Sequence, residues 1–185
     1  MLEFNFSEFP VLRSQRLVLR QIQLSDTPAF FALRTNEQVM KYIGRPMAGS
    51  LDEARQLLQT NIDAFNNKEG ISWAITEAGN DTLVGTIGFW RTEKEHYRTE
   101  IGYLLHPALH GKGLMQEAIT LACNYAFTQT QLHSIEANVD PENIASRRVL
   151  EKCGFVQEAY FKESFFWNGE FLDSVIYSLV KPKAF

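Results

Sequence analysis

Apolar and polar positions along the chain follow two different periods, and the changes between them predict the order of helices and strands. Residues 11–23 alternate at every second position, as a half-buried strand does. Helical spacing follows over 25–35, 37–43 and 50–66, the last beginning at a Ser50/Glu53 capping box. The other predicted elements are a hairpin of strands 71–78 and 82–90, a strand over 98–105, a helix over 114–128, a strand over 133–139, a helix over 143–153, and a hairpin of strands 156–167 and 170–180. This order predicts one mixed α/β domain covering residues 1–185.

The junction between strand 98–105 and helix 114–128 carries Gly111 and Gly113 with Lys112 between them. The start of a helix offers unpaired N–H groups and the positive end of the helix dipole, and glycine lets an anion approach the main chain. We therefore expect a phosphate site here. The Walker loop is excluded because it needs a longer glycine spacing, and the dinucleotide fingerprint because it needs a third glycine.

Composition narrows the class of protein. The chain has 185 residues, 45% of them apolar, which is enough to bury one core. A net charge of −4 argues against a general nucleic-acid-binding surface. No apolar run is typical of a signal peptide or a membrane span, and Cys123 and Cys153 lack metal-ligand spacing. We expect a cytoplasmic protein with reduced thiols, no metal, no membrane contact and no direct nucleic-acid partner.

Several short motifs occur in the order typical of one enzyme superfamily. His110-Gly111-Lys112-Gly113-Leu114-Met115 resembles a pyrophosphate loop usually written Q/R-x-x-G-x-G/A, from which His110 and Met115 depart. Asn143-x-x-Ser146 and residues 149–155 resemble the second cofactor-side helix, while 16–20 and 85–88 resemble the first strand and the central hairpin. Nearly the whole chain thus resembles the GNAT superfamily of acyl-CoA-dependent N-acetyltransferases, in its RimJ/RimL-like branch, which acetylates ribosomal-protein N-termini.

The resemblance implies acetyl-CoA as co-substrate and a central, mostly antiparallel sheet flanked by helices. The strands that match 98–105 and 132–139 separate in this superfamily, and pantetheine lies in the gap. Main-chain groups of Leu104 and Leu105 are the expected pantetheine partners, because desolvated amides need peptide partners. The expected pyrophosphate site is the loop His110, Gly111, Lys112, Gly113, Leu114 and Met115, through its N–H groups from about Gly111 onward. Asn143 is expected to cap its helix, to bind the pantetheine arm, or to do both.

Acetyl transfer to an amine requires a neutral amine, a donor to the oxyanion and an acid for the leaving thiolate. Glu100 starts the strand that borders the gap and is the first candidate base, acting through water. Glu136 in strand 133–139 is the alternative base, and either glutamate can equally be a solvated carboxylate. Ser146 is the candidate acid, since the resemblance places its hydroxyl near the cofactor sulfur. Many members carry a tyrosine one turn later, where this chain has Leu150.

The sequence leaves the acceptor amine open. A protein N-terminus competes with a small amine, such as a polyamine, an amino acid or an aminoglycoside antibiotic. A catalytically silent acyl-CoA-binding regulatory module is an alternative of a different class. Acceptor pockets in this superfamily are built from variable helices and hairpins, which correspond here to 25–70 and 156–175. The aromatic C-terminal hairpin is compatible with either a monomer or a homodimer.

Overall fold

The computed structural model describes Leu2 and residues 8–182, which build one sheet with helices on both faces. The strands are β1 (Leu12–Arg13), β2 (Leu17–Gln21), β3 (Ile71–Glu77), β4 (Asn80–Glu93), β5 (Arg98–Leu105), β6 (Ser134–Val139), β7 (Val156–Trp167) and β8 (Glu170–Val180). The helices are α1 (Thr27–Arg34), α2 (Glu37–Met40), α3 (Leu51–Asn66), α4 (Leu114–Gln129) and α5 (Ile144–Lys152), with 3₁₀ turns at Leu24–Asp26 and Pro107–Leu109. The predicted domain bounds, residues 1 and 185, lie outside the described residues.

The eight strands lie in the order β1-β2-β3-β4-β5-β6-β8-β7. Every neighbouring pair is antiparallel except β5 and β6, which run parallel. A parallel neighbour needs a crossover connection, and α4 supplies it between β5 and β6. This arrangement confirms the prediction of a mostly antiparallel sheet flanked by helices.

Two apolar cores cover the two faces of the sheet. The larger core packs α4 and α5 against the side chains of Leu17, Trp73 and Ile101. The smaller core packs α1 and α3 against the opposite face, where Ala74 and Leu104 contribute. Side chains along a strand alternate between faces, so β5 presents Tyr103 to the larger core and Leu104 to the smaller one. In the part of the chain that the structure describes, every helix is too short or too polar to cross a bilayer.

The predicted strand 11–23 is wrong in one respect, because the chain folds back on itself within it. Leu12 pairs with Leu19, so β1 and β2 form an antiparallel pair. The Ser14 hydroxyl accepts a hydrogen bond from the backbone N–H of Leu17 at 3.0 Å and closes the turn. Serine side chains compete with strand pairing by bonding to nearby backbone in this way. The turn falls in the polar run Arg13-Ser14-Gln15-Arg16, which contains neither glycine nor proline and was included in the predicted strand.

Strand β4 runs three residues beyond its predicted end at Trp90, and its extension contains a bulge. The β4–β5 register shifts between Trp90 and Glu93. Arg91, within the shift, has φ = +49°, a conformation that non-glycine residues seldom adopt. Bulges redirect side chains and are over-represented beside active sites. The bulge after Trp90 directs Arg91 toward β5, where it forms an ion pair with Glu100.

The hairpin of β7 and β8 matches its predicted bounds and exposes several aromatic side chains. Phe161, Phe166 and Phe171 are each more than half exposed. Strand β7 also forms an edge of the sheet, where unpaired backbone groups favour pairing with another chain. The oligomeric state stays a prediction, with a monomer and a homodimer both compatible with this surface.

Candidate active site

A cavity of about 950 Å³ lies against the sheet face that also carries α1 and α3. Its walls come from α1, the loop 41–48, α3, the middle of β4 and β5, the end of β6, and the β7–β8 hairpin. Both segments in which the acceptor pocket was expected, 25–70 and 156–175, contribute to these walls. The cavity also reaches Tyr103, Asn143 and Ser146, which border the space between β5 and β6.

Strands β5 and β6 separate after a short stretch of pairing. Arg98, Thr99 and Glu100 pair with Ser134, Ile135 and Glu136, and no pairs follow between the two strands. Both strands nevertheless continue, β5 to Leu105 and β6 to Val139. The result is a gap through the sheet that opens onto the cavity. Its position matches the cofactor gap that the resemblance implied.

Main-chain groups of β5 alternate between β4 and the gap. His106 donates its backbone N–H to the Val84 carbonyl of β4 at 2.8 Å. Every second residue of an antiparallel strand bonds to the same neighbour, so Leu104 also directs its N–H and C=O groups toward β4. Tyr103 and Leu105 therefore face the gap. The Leu105 carbonyl is already bonded to His110 Nε2 at 2.9 Å. Leu104 was expected to offer its main chain to pantetheine, but its main chain is directed at β4 instead. The main-chain groups left free to face the gap are those of Tyr103 and the N–H of Leu105.

The loop before α4 is open and its donors are free. Gly111 and Gly113 have φ of +73° and +76°, which glycine adopts without strain. A side chain at Gly111 would meet nothing within 4 Å, and at Gly113 only Arg16 Nη2 at 3.8 Å. No side chain caps α4. Among the described residues, none accepts a hydrogen bond from the backbone N–H groups between Gly111 and Met115. Such a run of donors at a helix start suits a pyrophosphate.

Arg16 ties this loop to the first turn of α4. Its Nη1 donates to the Lys112 carbonyl at 2.9 Å, and its Nε donates to Glu117 Oε2 at 2.8 Å. These two contacts fix the Lys112 main chain. The Lys112 ammonium forms no ion pair within the described residues. Arg16 therefore holds the loop against α4 through the Lys112 carbonyl, without using the free N–H groups.

Glu100 lies buried in the wall of the cavity, with 7% of its surface exposed. Burial raises the pKa of its carboxyl, and the charge of Glu136 adds to the rise. Arg91 opposes the rise through an ion pair of 3.0 Å between its Nη1 and Glu100 Oε2. The Trp90 indole N–H also lies near the Glu100 carboxylate and favours its charged form. This N–H is buried, and no acceptor lies in hydrogen-bond geometry with it. A carboxylate of raised pKa in a cavity wall is typical of a general base.

Glu136, the alternative base, lies in a different setting. Its Oε2 accepts from Arg98 Nε at 2.9 Å and forms a second, shorter contact with Arg98 Nη2. It is absent from the residues that line the cavity. The charge-assisted contacts with Arg98 hold this carboxylate in an ion pair away from the cavity. The structure therefore favours Glu100 by position.

Ser146 and Asn143 stand at the start of α5, on the far side of the gap. The Asn143 side chain accepts from the backbone N–H of Ser146 at 3.1 Å and caps the helix, which is one of its two expected roles. Ser146 Oγ lies 2.7 Å from the Tyr103 hydroxyl. Burial raises the pKa of the Tyr103 phenol, with the Ser146 hydrogen bond opposing the rise. The two hydroxyls form a linked, protonated pair at the edge of the gap.

Sequence reasoning missed Tyr103 and Arg91 as site residues. Tyr103 lies in no recognised motif, and its partner Ser146 comes from an element 43 residues later. Arg91 reaches Glu100 because of a bulge that no local motif announces. The Trp90 ring covers Gly102 so closely that a methyl group there would lie 1.7 Å from it. A glycine inside a strand often marks such a close approach, and this was the one local signal in the sequence.

Metal ligation has no support among the residues the structure describes, where no cluster of three or more His, Cys, Asp or Glu side chains converges. Cys123 is buried in α4 and Cys153 follows α5, and both are free thiols. Burial raises the pKa of both thiols, which keeps them protonated.

A family model described as an acetyltransferase (GNAT) domain matches residues 16–156. The chain therefore belongs to the GNAT acetyltransferase family and is an acyl-CoA-dependent N-acetyltransferase. It is 37% identical over 175 residues to the uncharacterized N-acetyltransferase YoaA of Bacillus subtilis, with 95% of this chain and 99% of that protein covered.

Two further relatives have named acceptors. The [ribosomal protein uS5]-alanine N-acetyltransferase of Escherichia coli is 37% identical over 101 residues, 54% of this chain and 52% of that protein. The crystal structure of spermidine N-acetyltransferase from Vibrio cholerae, in complex with CoA and spermine, superimposes with a TM-score of 0.80 at 26% identity, covering 91% of this chain and 97% of that one. The predicted family and its likeness to ribosomal-protein acetyltransferases are confirmed.

Proposed function

We propose that this enzyme transfers an acetyl group directly from acetyl-CoA to a primary amine, with a protein N-terminus as the first class of acceptor. One observation carries the proposal. The gap between β5 and β6 opens into a cavity that has a buried carboxylate, Glu100, on one side and a hydroxyl pair, Ser146 and Tyr103, on the other. An acceptor in the cavity and a thioester in the gap would meet between these groups.

The residues present fit acetyl-CoA, which supplies an activated acetyl thioester when bound. Free N–H groups from Gly111 to Met115 suit its pyrophosphate, and the N–H of Leu105 faces the gap in which its pantetheine would lie. The open surroundings of Gly111 and Gly113 leave room for phosphate oxygens beside the main chain. Lys112 adds a positive charge to the same loop.

Glu100 acts as general base on the acceptor in this proposal. An N-terminal amine has a pKa of about 8, so much of it is protonated at neutral pH and must lose a proton before attack. Burial raises the pKa of Glu100 toward neutrality, which improves its match to that task. A water between the carboxylate and the amine provides the path for the proton. The ion pair with Arg91 opposes this rise in pKa and favours the charged carboxylate.

Ser146 acts as the acid that protonates the leaving thiolate. The Tyr103 and Ser146 hydroxyls lie 2.7 Å apart, and either one can donate. When Tyr103 donates, the Ser146 proton is available to the thiolate in the gap. Because burial raises the pKa of Tyr103, its phenol stays protonated and holds this orientation. A thiolate is a stable leaving group, with a pKa of about 8.5 for a simple thiol. The acid therefore contributes less than the base to the rate.

Support for the class of acceptor comes from the relatives and from the cavity. The relative from Escherichia coli is by name a [ribosomal protein uS5]-alanine N-acetyltransferase. A cavity of about 950 Å³ has room for a peptide end. A polyamine is the second candidate because of the likeness to the spermidine N-acetyltransferase of Vibrio cholerae.

A thiol-release assay with an acceptor panel tests the proposal. Purified protein is mixed with acetyl-CoA and with peptides bearing free N-termini, polyamines, single amino acids or an aminoglycoside. We expect thiol release with at least one N-terminal peptide, accompanied by a gain of one acetyl group on that peptide by mass spectrometry. Tight acetyl-CoA binding without thiol release from any amine would support the silent regulatory module instead.

A further inference from the structure

Arg34 ends α1 with its guanidinium in the wall of the cavity and most of its donors unused. Only 7% of its surface is exposed. Its Nη2 donates to the Pro46 carbonyl at 2.8 Å, whereas its Nε is buried with no partner. A guanidinium carries five N–H donors, and buried polar groups are normally paired. The unused donors therefore need an explanation.

The charge of Arg34 is also unmatched. Among the described residues, no carboxylate lies within 4 Å of its guanidinium. The charge that acts on it most is that of Arg45, which has the same sign and stands in the loop 41–48. Burial lowers the pKa of the Arg34 guanidinium, and Arg45 lowers it further. Burying a cation beside another cation is unfavourable unless an anion joins them.

The acidic side chains of the same cavity have other partners. Glu53 accepts from the backbone N–H of Gly49 at 2.7 Å, and Glu100 pairs with Arg91. Asp173 accepts from the Tyr160 hydroxyl and from a backbone N–H, and Asp140 accepts from the backbone N–H of Glu142 at 2.8 Å. The described part of the chain thus offers Arg34 no counter-ion.

Arg20 shows how this chain treats an arginine with a structural role. Its guanidinium is nearly as buried as that of Arg34, yet it pairs with Asp26 at 2.7 Å and with Asp81 at 2.6 Å. Arg20 lines a separate, shallow pocket rather than the cavity. The contrast with Arg34 indicates a missing ligand rather than a general tolerance of unpaired arginines.

We infer that Arg34 binds a carboxylate carried by the acceptor molecule, with Arg45 as a second cation beside it. The inference rests on the proposed function, since Arg34 and Glu100 line one cavity and one acceptor would present its amine to Glu100 and its carboxylate to Arg34. The acceptor is thus an amine with a carboxylate in the same molecule. That carboxylate belongs either to a free amino acid or to an acidic residue near a peptide N-terminus. A polyamine would instead bring a further cation to Arg34.

Two matched acceptor pairs test the inference by thiol release. One pair is a free amino acid and its amide, and the other is a short peptide with Glu or Gln after its N-terminal residue. For the wild type we expect kcat/KM to favour the carboxylate member by about 10- to 100-fold, the range for a charge-assisted bidentate contact. The pair that shows the preference identifies the source of the carboxylate.

Substitution of Arg34 then tests whether this side chain causes the preference for a carboxylate. In R34Q the ratio of the two kcat/KM values should fall toward one, and R34K should retain part of it because the charge remains. R55Q removes an exposed arginine of α3 that lies outside the cavity, and it should keep both the wild-type ratio and the wild-type activity. Calorimetric binding of acetyl-CoA to each variant shows that it has folded.

Three outcomes would overturn the inference. Equal kcat/KM for both members of both pairs in the wild type would show that the enzyme does not recognise a carboxylate on the acceptor. The proposed function would remain intact. An unchanged kcat/KM ratio in R34Q would show that Arg34 does not bind the carboxylate. Thiol release from no acceptor at all would overturn the proposed function, and this inference with it.

Discussion

The cofactor end and the acceptor end of this site are built in different ways. At the proposed cofactor end, the candidate binding groups are the backbone N–H groups of the loop 110–115 and the capped start of α5, and each comes from one contiguous motif. At the acceptor end, Arg34, Arg91 and Glu100 converge from a helix, a bulge and a strand. A site made of backbone depends on local sequence, whereas a site made of converging side chains depends on the tertiary fold. The two ends should therefore respond differently to mutation.

The largest effect should come from Glu100→Gln, which removes the proposed base and keeps the shape of the cavity. We expect kcat/KM for the amine to fall by about 10² to 10⁴, the usual contribution of general acid–base catalysis. Acetyl-CoA affinity by calorimetry should stay within about twofold, because Glu100 lies at the acceptor end.

Glu136→Gln is the matched control for that experiment. It makes the same chemical change on the neighbouring strand, at a carboxylate that pairs with Arg98 and does not line the cavity. Its kcat/KM should stay close to that of the wild type. A loss larger than that of Glu100→Gln would reverse the assignment of the base.

Ser146→Ala should have the next largest effect, a fall in kcat of roughly 10²-fold, at the low end for an acid because thiolate leaves readily. The rate must be measured where chemistry limits turnover, by rapid mixing. Tyr103→Phe removes only the hydrogen bond to Ser146 and should lower the rate less than Ser146→Ala does. An unchanged rate in Ser146→Ala would remove its role as acid.

Gly113→Val should act on the cofactor end alone. Its φ of +76° strains a β-branched residue by about 1–2 kcal/mol, so the loop should leave its binding geometry and acetyl-CoA affinity should fall by about tenfold. Gly79→Val is the control, because Gly79 has φ = +84° and open space around it, in a hairpin turn away from the cavity. The same acetyl-CoA affinity in both variants would count against the loop as the pyrophosphate site.

The smallest effect should come from Arg91→Ala, read as a change in pH dependence. A base works only when ionised, so activity rises with pH through the pKa of Glu100. Removing Arg91 takes away the charge that lowers this pKa, and the rising limb should move to higher pH. The Arg91 side chain is 67% exposed, so solvent screens the pair and the shift should be small. A shift to lower pH would contradict the ion pair.

Local sequence predicted most of the fold because most elements carry their own start and stop signals. The bounds of β7 and β8 match the prediction through the Asn168-Gly169 turn, and α3 begins after Ser50, whose hydroxyl accepts from the Glu53 N–H at 3.2 Å. The Glu53 carboxylate, however, bonds to Gly49 rather than to Ser50, so only half of the predicted capping box forms. Where a turn carried no glycine or proline, as at Ser14, the pattern missed it.

The parts that sequence could not predict all depend on register or on contacts between distant elements. The strand 98–105 was correctly placed, but the choice between Leu104 and Tyr103 as the residue facing the gap depends on how β5 pairs with β4. The Tyr103–Ser146 contact and the exposure of Arg34 to the cavity depend on packing across the sheet. No spacing along the chain encodes these relations.

Direct transfer between the two ends is the central claim, and rapid mixing followed by intact-protein mass spectrometry tests it most directly. With acetyl-CoA alone, the account predicts no burst of free thiol and no gain of an acetyl group by the protein. On addition of an accepted amine, free thiol and acetylated amine should appear together and in equal amounts. A stoichiometric burst of thiol with an acetylated protein before any amine is added would contradict direct attack and require a covalent intermediate.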